Sequence, residues 1–146
     1  MIRGSQKVRM SSEPGSNLNG SFRGREEIGR LGIECAGDDT RIHASVVIVA
    51  PHRLVLGDHV RVDPFCVLSG FGGISLGSHV HIGSHATLIG GGGIRVEDFA
   101  GISHGARIFS VTDDFSGASL TGPTVSEELR GVLQAPIGLG RHAVIG

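Results

Sequence analysis

The sequence predicts an all-β protein of stacked coils, each about 20 residues long, and two observations carry this prediction. Residues 56–75 and 76–95 repeat one unit, LGDHVRVDPFCVLSGFGGIS and then LGSHVHIGSHATLIGGGGIR, with nine of the twenty positions identical. Inside each unit an aliphatic residue recurs every six positions, and a small or β-branched residue follows it by four. A unit of this size cannot bury its apolar face alone, so we expect neighbouring units to stack.

The six-residue frame extends in both directions from the duplicated unit. Its aliphatic positions are Ala36, Ile42, Ile48, Leu54, Leu56, Val62, Leu68, Ile74, Leu76, Ile82, Leu88, Ile94, Val96, Ile102 and Ile108, and after a gap Ile137, Leu139 and Ile145. A period of six fits neither an amphipathic α-helix nor a coiled coil. Three hexads with two extra residues instead make one coil of three short parallel strands, with successive coils about 4.8 Å apart. We expect Ile42, Val62, Ile82 and Ile102 in one buried column.

The corners between the strands give two further expectations. Glycine suits a backbone with positive φ, so we expect that conformation at Gly37, Gly57, Gly77, Gly140 and in the run 90–93. A second corner position carries aromatic rings at the same point of successive coils, which predicts a stacked ladder on the surface. Its members are His59, His79, Phe99 and His142.

The repeat pattern, an aliphatic residue followed by glycine, two variable residues and a small residue, resembles that of a known family. It is similar to the left-handed parallel β-helix of the hexapeptide-repeat acyltransferases, whose hand is the exception to right-handed crossovers. The resemblance covers residues 31–146. It implies a homotrimer that binds acetyl-CoA and its acceptor in the groove between adjacent subunits.

The length and periodicity divide the chain into two parts. Residues 1–30 are rich in Ser, Gly and Asn and have no periodicity, so we expect a flexible leader with at most a short helical turn at 26–32. Residues 31–146 form the β-helix domain. The frame stops at Ile145 and Gly146, whereas the resemblance implies another coil or two, so we expect a chain truncated at its C-terminus.

The composition excludes several classes of partner. The formal net charge is −1 and the charges are scattered, so we expect neither nucleic acid nor an anionic membrane surface as a partner. No apolar run reaches the roughly 20 residues of a membrane span, and the N-terminus lacks the apolar core of a signal peptide. We therefore expect a cytoplasmic protein. Cys66 falls in an inward column and is predicted to be a buried, reduced thiol.

The break in the frame predicts one long loop. Val96 and Leu139 are 43 residues apart where one coil would need 20, so residues of about 111–135 are extruded between two coils. Long excursions from a rigid scaffold are often functional, although a surface loop or a subunit-packing arm is the alternative. The loop region offers an acidic pair, Asp113 and Asp114. Its hydroxyl groups are candidate substrate contacts: Ser110, Ser116 and Thr121.

The residues that lead into this loop carry a second resemblance. GIRVEDFAGISHGARIFSVTD, residues 93–113, is similar to the stretch of sugar O-acetyltransferases that precedes their catalytic histidine. Asp113 stands at that position here, so the family mechanism cannot be copied unchanged. The following residues, SxxDDFSG and then LTGPTV, resemble acyltransferases of polysaccharide and O-antigen synthesis. These resemblances imply an acetyltransferase that uses acetyl-CoA to acylate a sugar hydroxyl or amine, most simply a hydroxyl.

Acetyl transfer to a hydroxyl requires a general base near the acceptor. Alternation points His81 outward beside Gly101, so we expect His81 to be the base, with Asp113 or Asp114 orienting its ring. His85 is the substitute candidate. His104 is the third, and either of these two residues could bind the acceptor instead.

Two alternatives stay open at this point. Three neighbouring histidines also suit a zinc enzyme similar to the γ-class carbonic anhydrases, although the spacing of His81 and His85 and the acidic loop do not match that class. We therefore expect no metal. The other alternative is a structural β-helix without catalytic activity.

Overall fold

The computed structural model describes residues 21–146, which form a parallel β-helix with a short N-terminal helix, α1 (Arg25–Arg30). Its strands are β1 (Phe22–Arg23), β2 (Cys35–Ala36), β3 (Arg41–His43), β4 (Val47–Val49), β5 (Leu54–Leu56), β6 (Arg61–Val62), β7 (Val67–Ser69), β8 (Ile74–Leu76), β9 (His81–Ile82), β10 (Thr87–Ile89), β11 (Ile94–Val96), β12 (Gly101–Ile102), β13 (Arg107–Phe109), β14 (Val111–Asp113), β15 (Val132–Gln134), β16 (Ile137–Leu139) and β17 (Val144–Ile145). Two 3₁₀ turns lie at Pro51–Arg53 and Glu127–Leu129. No helix in this part of the chain is long and apolar enough to cross a membrane.

All strands except β14 and β15 form three sheets that make the three faces of the β-helix. Face one has the order β1-β3-β6-β9-β12-β17, face two β13-β10-β7-β4, and face three β16-β11-β8-β5-β2. Pairing between coils is parallel and in register at a spacing of 20 residues, as where Val62 pairs with Ile82 and Ile82 with Ile102. The predicted hexapeptide frame is therefore the repeat of the structure.

The core consists of the inward columns of side chains that the frame predicts. Ile42, Val62, Ile82 and Ile102 are all at most 1% exposed, which confirms their predicted column. The small inward positions are buried with them, including the Cys66 side chain, whose thiol is free. Burial of each large aliphatic side chain contributes roughly 1.5–3 kcal/mol, so the stack holds neighbouring coils together.

Residues 22–30 are not a flexible leader but a strand and a helix, and α1 overlaps the short helical turn expected at 26–32. Strand β1 pairs antiparallel with β3, and the Phe22 ring lies edge-on to the His43 ring at 5.3 Å. Helix α1 then places Ile28, 1% exposed, at one end of the core. One buried residue in a six-residue helix produces no periodicity, which is why composition alone favoured a leader. Residues 1–20 of the predicted leader lie outside the described residues.

Glycine is required at the corners for a different reason from the one expected. Positive φ occurs at His59 (56°) and His79 (59°), whereas Gly57 and Gly77 do not have it. A Cβ at Gly57 would lie 2.7 Å from the backbone carbonyl carbon of Gly77 on the next coil. These glycines are therefore needed for the close approach of adjacent coils. Within the run 90–93, Gly93 alone has positive φ, at 92°.

The predicted aromatic ladder is present at the corner whose residues have positive φ. The ring centroids of His59 and His79 are 4.7 Å apart, those of His79 and Phe99 4.8 Å, and those of Phe99 and His142 5.2 Å. Each pair is stacked, with interplanar angles of 22° or less. The ladder confirms that these histidines form a regular feature of one corner.

The extruded loop leaves after β13 and returns at β16. Ile137 pairs with Ile94 and Leu139 with Val96, so the frame resumes in register after the insertion. Strands β14 and β15 pair antiparallel at the base of the loop. The loop thus projects from the edge between faces two and three, whereas His81 lies on face one.

Candidate active site

A cleft on face one brings together two of the candidate histidines, His81 and His104. Its volume is about 180 Å³, and its polar lining includes His81, Ser103 and His104. Gly101 lies beside His81 on the next strand and leaves the cleft open, because a Cβ there would meet only Val144 Cγ2, at 3.9 Å. The position beside His81 is therefore open to a bound molecule.

The His81 ring is held by a carboxylate that the sequence analysis did not single out. His81 Nε2 lies 2.8 Å from Asp63 Oδ2, and Arg61 Nε donates to Asp63 Oδ1 at 2.7 Å. The Asp63 side chain is 8% exposed, whereas that of His81 is 51% exposed. The Asp63 carboxylate is thus buried, and it holds the His81 ring in an orientation that leaves half of that side chain exposed to solvent.

The charge state of Asp63 follows from its contacts. Burial raises the pKa of the Asp63 carboxyl, but hydrogen bonds from Arg61 and His81 outweigh this effect and hold the pKa below its usual value. Arg61 is itself held by the N-terminal strand, since its guanidinium carbon lies 4.8 Å from the centroid of the Phe22 ring. Asp63 is therefore an anion at neutral pH and can only accept hydrogen bonds.

His104 enters the cleft from the corner that follows β12. The backbone N–H of Ser84 donates to His104 Nδ1 at 2.9 Å, and the rings of His81 and His104 meet edge to face at 6.4 Å. This seat depends on Gly83, because a Cβ there would lie 2.7 Å from the backbone nitrogen of His104.

The structure places the predicted acidic pair away from His81. Asp113 Oδ2 accepts the backbone N–H of Gly122 at 2.8 Å, and Asp114 accepts both the N–H and the hydroxyl of Ser116. Within the chain, the carboxylate that orients His81 is therefore Asp63, and neither loop aspartate takes that position. The physical reason is topological: the loop projects from the edge opposite face one. Catalytic roles for Asp113 and Asp114 stay predictions.

The remaining predicted residues lie in three settings. The Ser110 side chain is buried, and its hydroxyl donates to Ile89 O and accepts the N–H of Gly92, so it fixes the loop exit and leaves no exposed hydroxyl for the predicted substrate contact. Ser116 is bound to Asp114 within the loop, and Thr121 is exposed there. His85 has a φ of 63° and stacks on Phe65 at 5.1 Å, at a corner beside the cleft.

A larger cavity, of about 380 Å³, lies on face three, where Arg53 and Arg95 line it together with Glu34. No histidine lines this cavity, so it offers no imidazole that could act as the base. Among residues 21–146 no group of three or more His, Cys, Asp and Glu side chains is arranged to hold a metal ion. The cleft on face one is thus the candidate active site.

Comparison with known proteins identifies enzymes of one kind. No protein-family model matches the chain. The chain is 29% identical over 121 residues to dTDP-4-amino-4,6-dideoxy-D-glucose acyltransferase of Escherichia coli. That match covers 82% of this chain and 63% of the relative, so the chain spans less than two thirds of the curated protein that it matches.

The solved structures similar to this chain include complexes of AntD, an N-acyltransferase from Bacillus cereus. A complex of an AntD variant with dTDP-4-amino-4,6-dideoxyglucose and coenzyme A has a TM-score of 0.83 and 35% identity, and covers 88% of this chain and 68% of AntD. The complex of AntD with dTDP and 3-hydroxybutyryl-CoA has a TM-score of 0.82 and 36% identity, over 87% of this chain and 67% of that one.

These likenesses confirm the predicted fold, a left-handed parallel β-helix, and the resemblance drawn from the repeat. They also favour an acyltransferase over the carbonic anhydrase alternative. The identity of 35% extends over 88% of this chain and 68% of AntD, and the two folds superpose over that range with a TM-score of 0.83. The chain therefore belongs to the hexapeptide-repeat, left-handed β-helix acyltransferases, the family that includes AntD.

Proposed function

We propose that this protein transfers an acyl group from an acyl-coenzyme A to the amino group of a nucleotide-linked amino sugar. One observation carries the proposal: 35% identity to AntD over 88% of this chain, in a complex that holds dTDP-4-amino-4,6-dideoxyglucose and coenzyme A. The Escherichia coli relative acts on the same class of sugar. These names favour an amine over the hydroxyl that the sequence favoured, and acetyl-CoA is the simplest donor.

The chemistry of the proposed reaction fits the groups in the cleft. The amine nitrogen forms a bond to the thioester carbonyl carbon, the C–S bond breaks, and the amine loses one proton that finally neutralises the thiolate. A positioned base that takes this proton contributes roughly 10²- to 10⁴-fold to the rate. His81 is the proposed base because its ring is half exposed in the cleft and is held by Asp63.

We also propose that the predicted aspartate Asp113 takes part, from a neighbouring subunit. The AntD complexes include variants at a serine and at an aspartate ten residues later. Ser103 and Asp113 have this separation, and Ser103 lines the cleft. Because Asp113 lies in the loop at the edge opposite face one, a homotrimer in which each loop reaches the next cleft would bring the two together, with Asp114 beside them.

The setting of the enzyme is proposed on the same basis. Acylation of a nucleotide-linked amino sugar prepares a building block, so we assign the protein to the synthesis of polysaccharide or O-antigen. We place it in the cytoplasm, where acyl-coenzyme A is available and where the free thiol of Cys66 would stay reduced.

The test is an acyl-transfer assay with defined acceptors. Purified protein would be mixed with acetyl-CoA or 3-hydroxybutyryl-CoA and dTDP-4-amino-4,6-dideoxyglucose, and released thiol and the mass of the sugar nucleotide would be followed. The control acceptor carries a hydroxyl in place of the amine. We expect amide formation with the amine alone. Acylation of the hydroxyl acceptor at an equal rate, or no acylation by folded protein, would refute the proposal.

A further inference from the structure

The two histidines of the cleft differ in which ring nitrogen is held by the protein and which is left for a bound molecule. His81 and His104 meet at 6.4 Å with an interplanar angle of 81°, so the edge of one ring faces the plane of the other. Both side chains are exposed, and both line the cleft. What each ring can offer to a bound molecule is fixed by the partner of its other nitrogen.

For His81 the fixed nitrogen is Nε2. Asp63 is ionised and accepts only, so the Nε2 atom, 2.8 Å from the carboxylate, must carry the hydrogen. The lone pair of the neutral ring is then on Nδ1, and that atom can take a proton. The other groups beside His81 are Arg61 on β6 and His104, while β12 places the neutral Gly101 there. The carboxylate is thus the anion that would balance a protonated His81.

For His104 the fixed nitrogen is Nδ1. The backbone N–H of Ser84 donates to it, so Nδ1 carries no hydrogen and the neutral ring has its hydrogen on Nε2. This contact comes from the backbone and cannot reverse its sense. His104 therefore presents a hydrogen-bond donor. Its position requires glycine at residue 83, because a Cβ there would lie 2.7 Å from the backbone nitrogen of His104.

We propose that the cleft holds a divided catalytic pair, in which His81 Nδ1 accepts the proton of the attacking amine while His104 Nε2–H donates a hydrogen bond to the thioester carbonyl oxygen. Asp63 is the positioning residue of the pair. This inference rests on the proposed acyl transfer. As the C–N bond forms, negative charge grows on the carbonyl oxygen, and the His104 hydrogen bond strengthens. When the C–S bond breaks, the proton held by His81 passes to the sulfur.

Glutamine substitutions separate the two roles. The side-chain amide of Gln can donate a hydrogen bond near the position of Nε2, but it cannot accept a proton at neutral pH. His104→Ala should lower kcat roughly 10²-fold or more, the usual effect of losing a donor to the oxyanion. His104→Gln should recover most of that loss, whereas His81→Gln should be as slow as His81→Ala. Equal losses in both glutamine variants, or no loss in His104→Ala, would overturn the division of roles.

The role of Asp63 is tested by the pH profile. Asp63→Asn keeps a carbonyl that can accept the His81 hydrogen bond but removes the charge that favours protonated His81. The acidic limb of kcat/KM should therefore move to lower pH, and kcat should fall. Asp39 is a matched control, because it contacts Arg41 and His59 at another corner, and Asp39→Asn should change neither quantity. An unchanged acidic limb in Asp63→Asn would exclude Asp63 from this role.

A spectroscopic measurement keeps the pair testable apart from activity. Long-range ¹H–¹⁵N correlation of the histidine rings should show hydrogen on Nε2 in both His81 and His104, assigned by loss of each signal in its variant. Hydrogen on Nδ1 of either residue would overturn the proposal. If the wild-type protein transfers no acyl group, the proposed function fails by itself, and the tautomers are still decided by these spectra. If it does transfer the group and the variants behave like wild type, the pair alone fails.

Discussion

Replacing Gly57 with alanine should destabilise the β-helix, because two adjacent coils approach each other closely there. A Cβ at Gly57 would lie 2.7 Å from Gly77 C and 2.7 Å from Ser78 N, and both are backbone atoms of the corner that follows β8. Real Cβ atoms do not reach such distances, so the coils must separate locally. Overpacking of this kind costs about 1–3 kcal/mol. For a chain of this length that cost corresponds to a decrease in Tm of about 2–12 °C.

Gly138 provides the matched control. It also lies within the repeat, in β16, but a Cβ there has no heavy atom within 4 Å, and its φ is not positive. Gly138→Ala should therefore leave the free energy of unfolding unchanged or raise it by up to about 1 kcal/mol, since alanine restricts the unfolded chain. Urea unfolding followed by far-ultraviolet circular dichroism would compare both variants with wild type at one protein concentration.

A third variant distinguishes the two explanations for the corner glycines. If Gly57 were present for a left-handed backbone, Gly57→Asn would be tolerated better than Gly57→Ala, because asparagine adopts positive φ more readily. If close approach is the reason, the larger asparagine should be at least as destabilising as alanine. A Gly57→Ala protein with the midpoint of wild type, or an asparagine variant more stable than the alanine variant, would refute the steric reasoning.

Three other perturbations have defined outcomes. Ile82→Ala removes a side chain that is 0% exposed and should lower the free energy of unfolding by about 2–5 kcal/mol, measured by urea titration, and a loss below 1 kcal/mol would contradict the core assignment. Gly101→Val should fill the cleft and lower kcat/KM while the Tm stays unchanged, because only Val144 lies near the new side chain, and retained activity would move the site elsewhere. The pKa of the Asp63 carboxyl is lowered in the folded protein, so its contribution to stability is complete above the unfolded pKa of about 3.9 and is lost as the pH falls through the folded pKa. Asp63→Asn should therefore lack that part of the pH dependence in urea titrations between pH 7 and 3.

The sequence predicted the coils and their register because the repeat determines both. An aliphatic residue every six positions fixes which side chains point inward, and parallel stacking then pairs each residue with the one 20 positions later. The pairing of Ile82 with Val62 and Ile102 therefore follows from spacing alone. The insertion between Val96 and Leu139 could be located for the same reason, since the frame returns in register.

Features that depend on backbone detail were less accessible. The frame locates a corner but does not state which of its residues adopts positive φ, so this conformation was given to Gly57 and Gly77 in place of His59 and His79. A histidine with positive φ is uncommon but tolerated, and the ring stacking of the ladder stabilises this backbone conformation here. The short helical turn at 26–32 was expected, but its packing on the core was not, because α1 contributes one residue, Ile28.

The partner of His81 could have been found from the same spacing that gave the fold. Parallel register places Arg61 directly beside His81, and Asp63 follows Arg61 by two residues on the same strand path. Two successive outward positions thus place a cation and an anion at the flank of the imidazole. Asp113 and Asp114 were the expected partners because an acidic pair in a long loop is a conspicuous sequence signal, and a single aspartate in a repeat is not. In a protein of stacked coils, however, residues near multiples of 20 apart are neighbours, so distance along the frame is a better guide to a site than prominence in a loop.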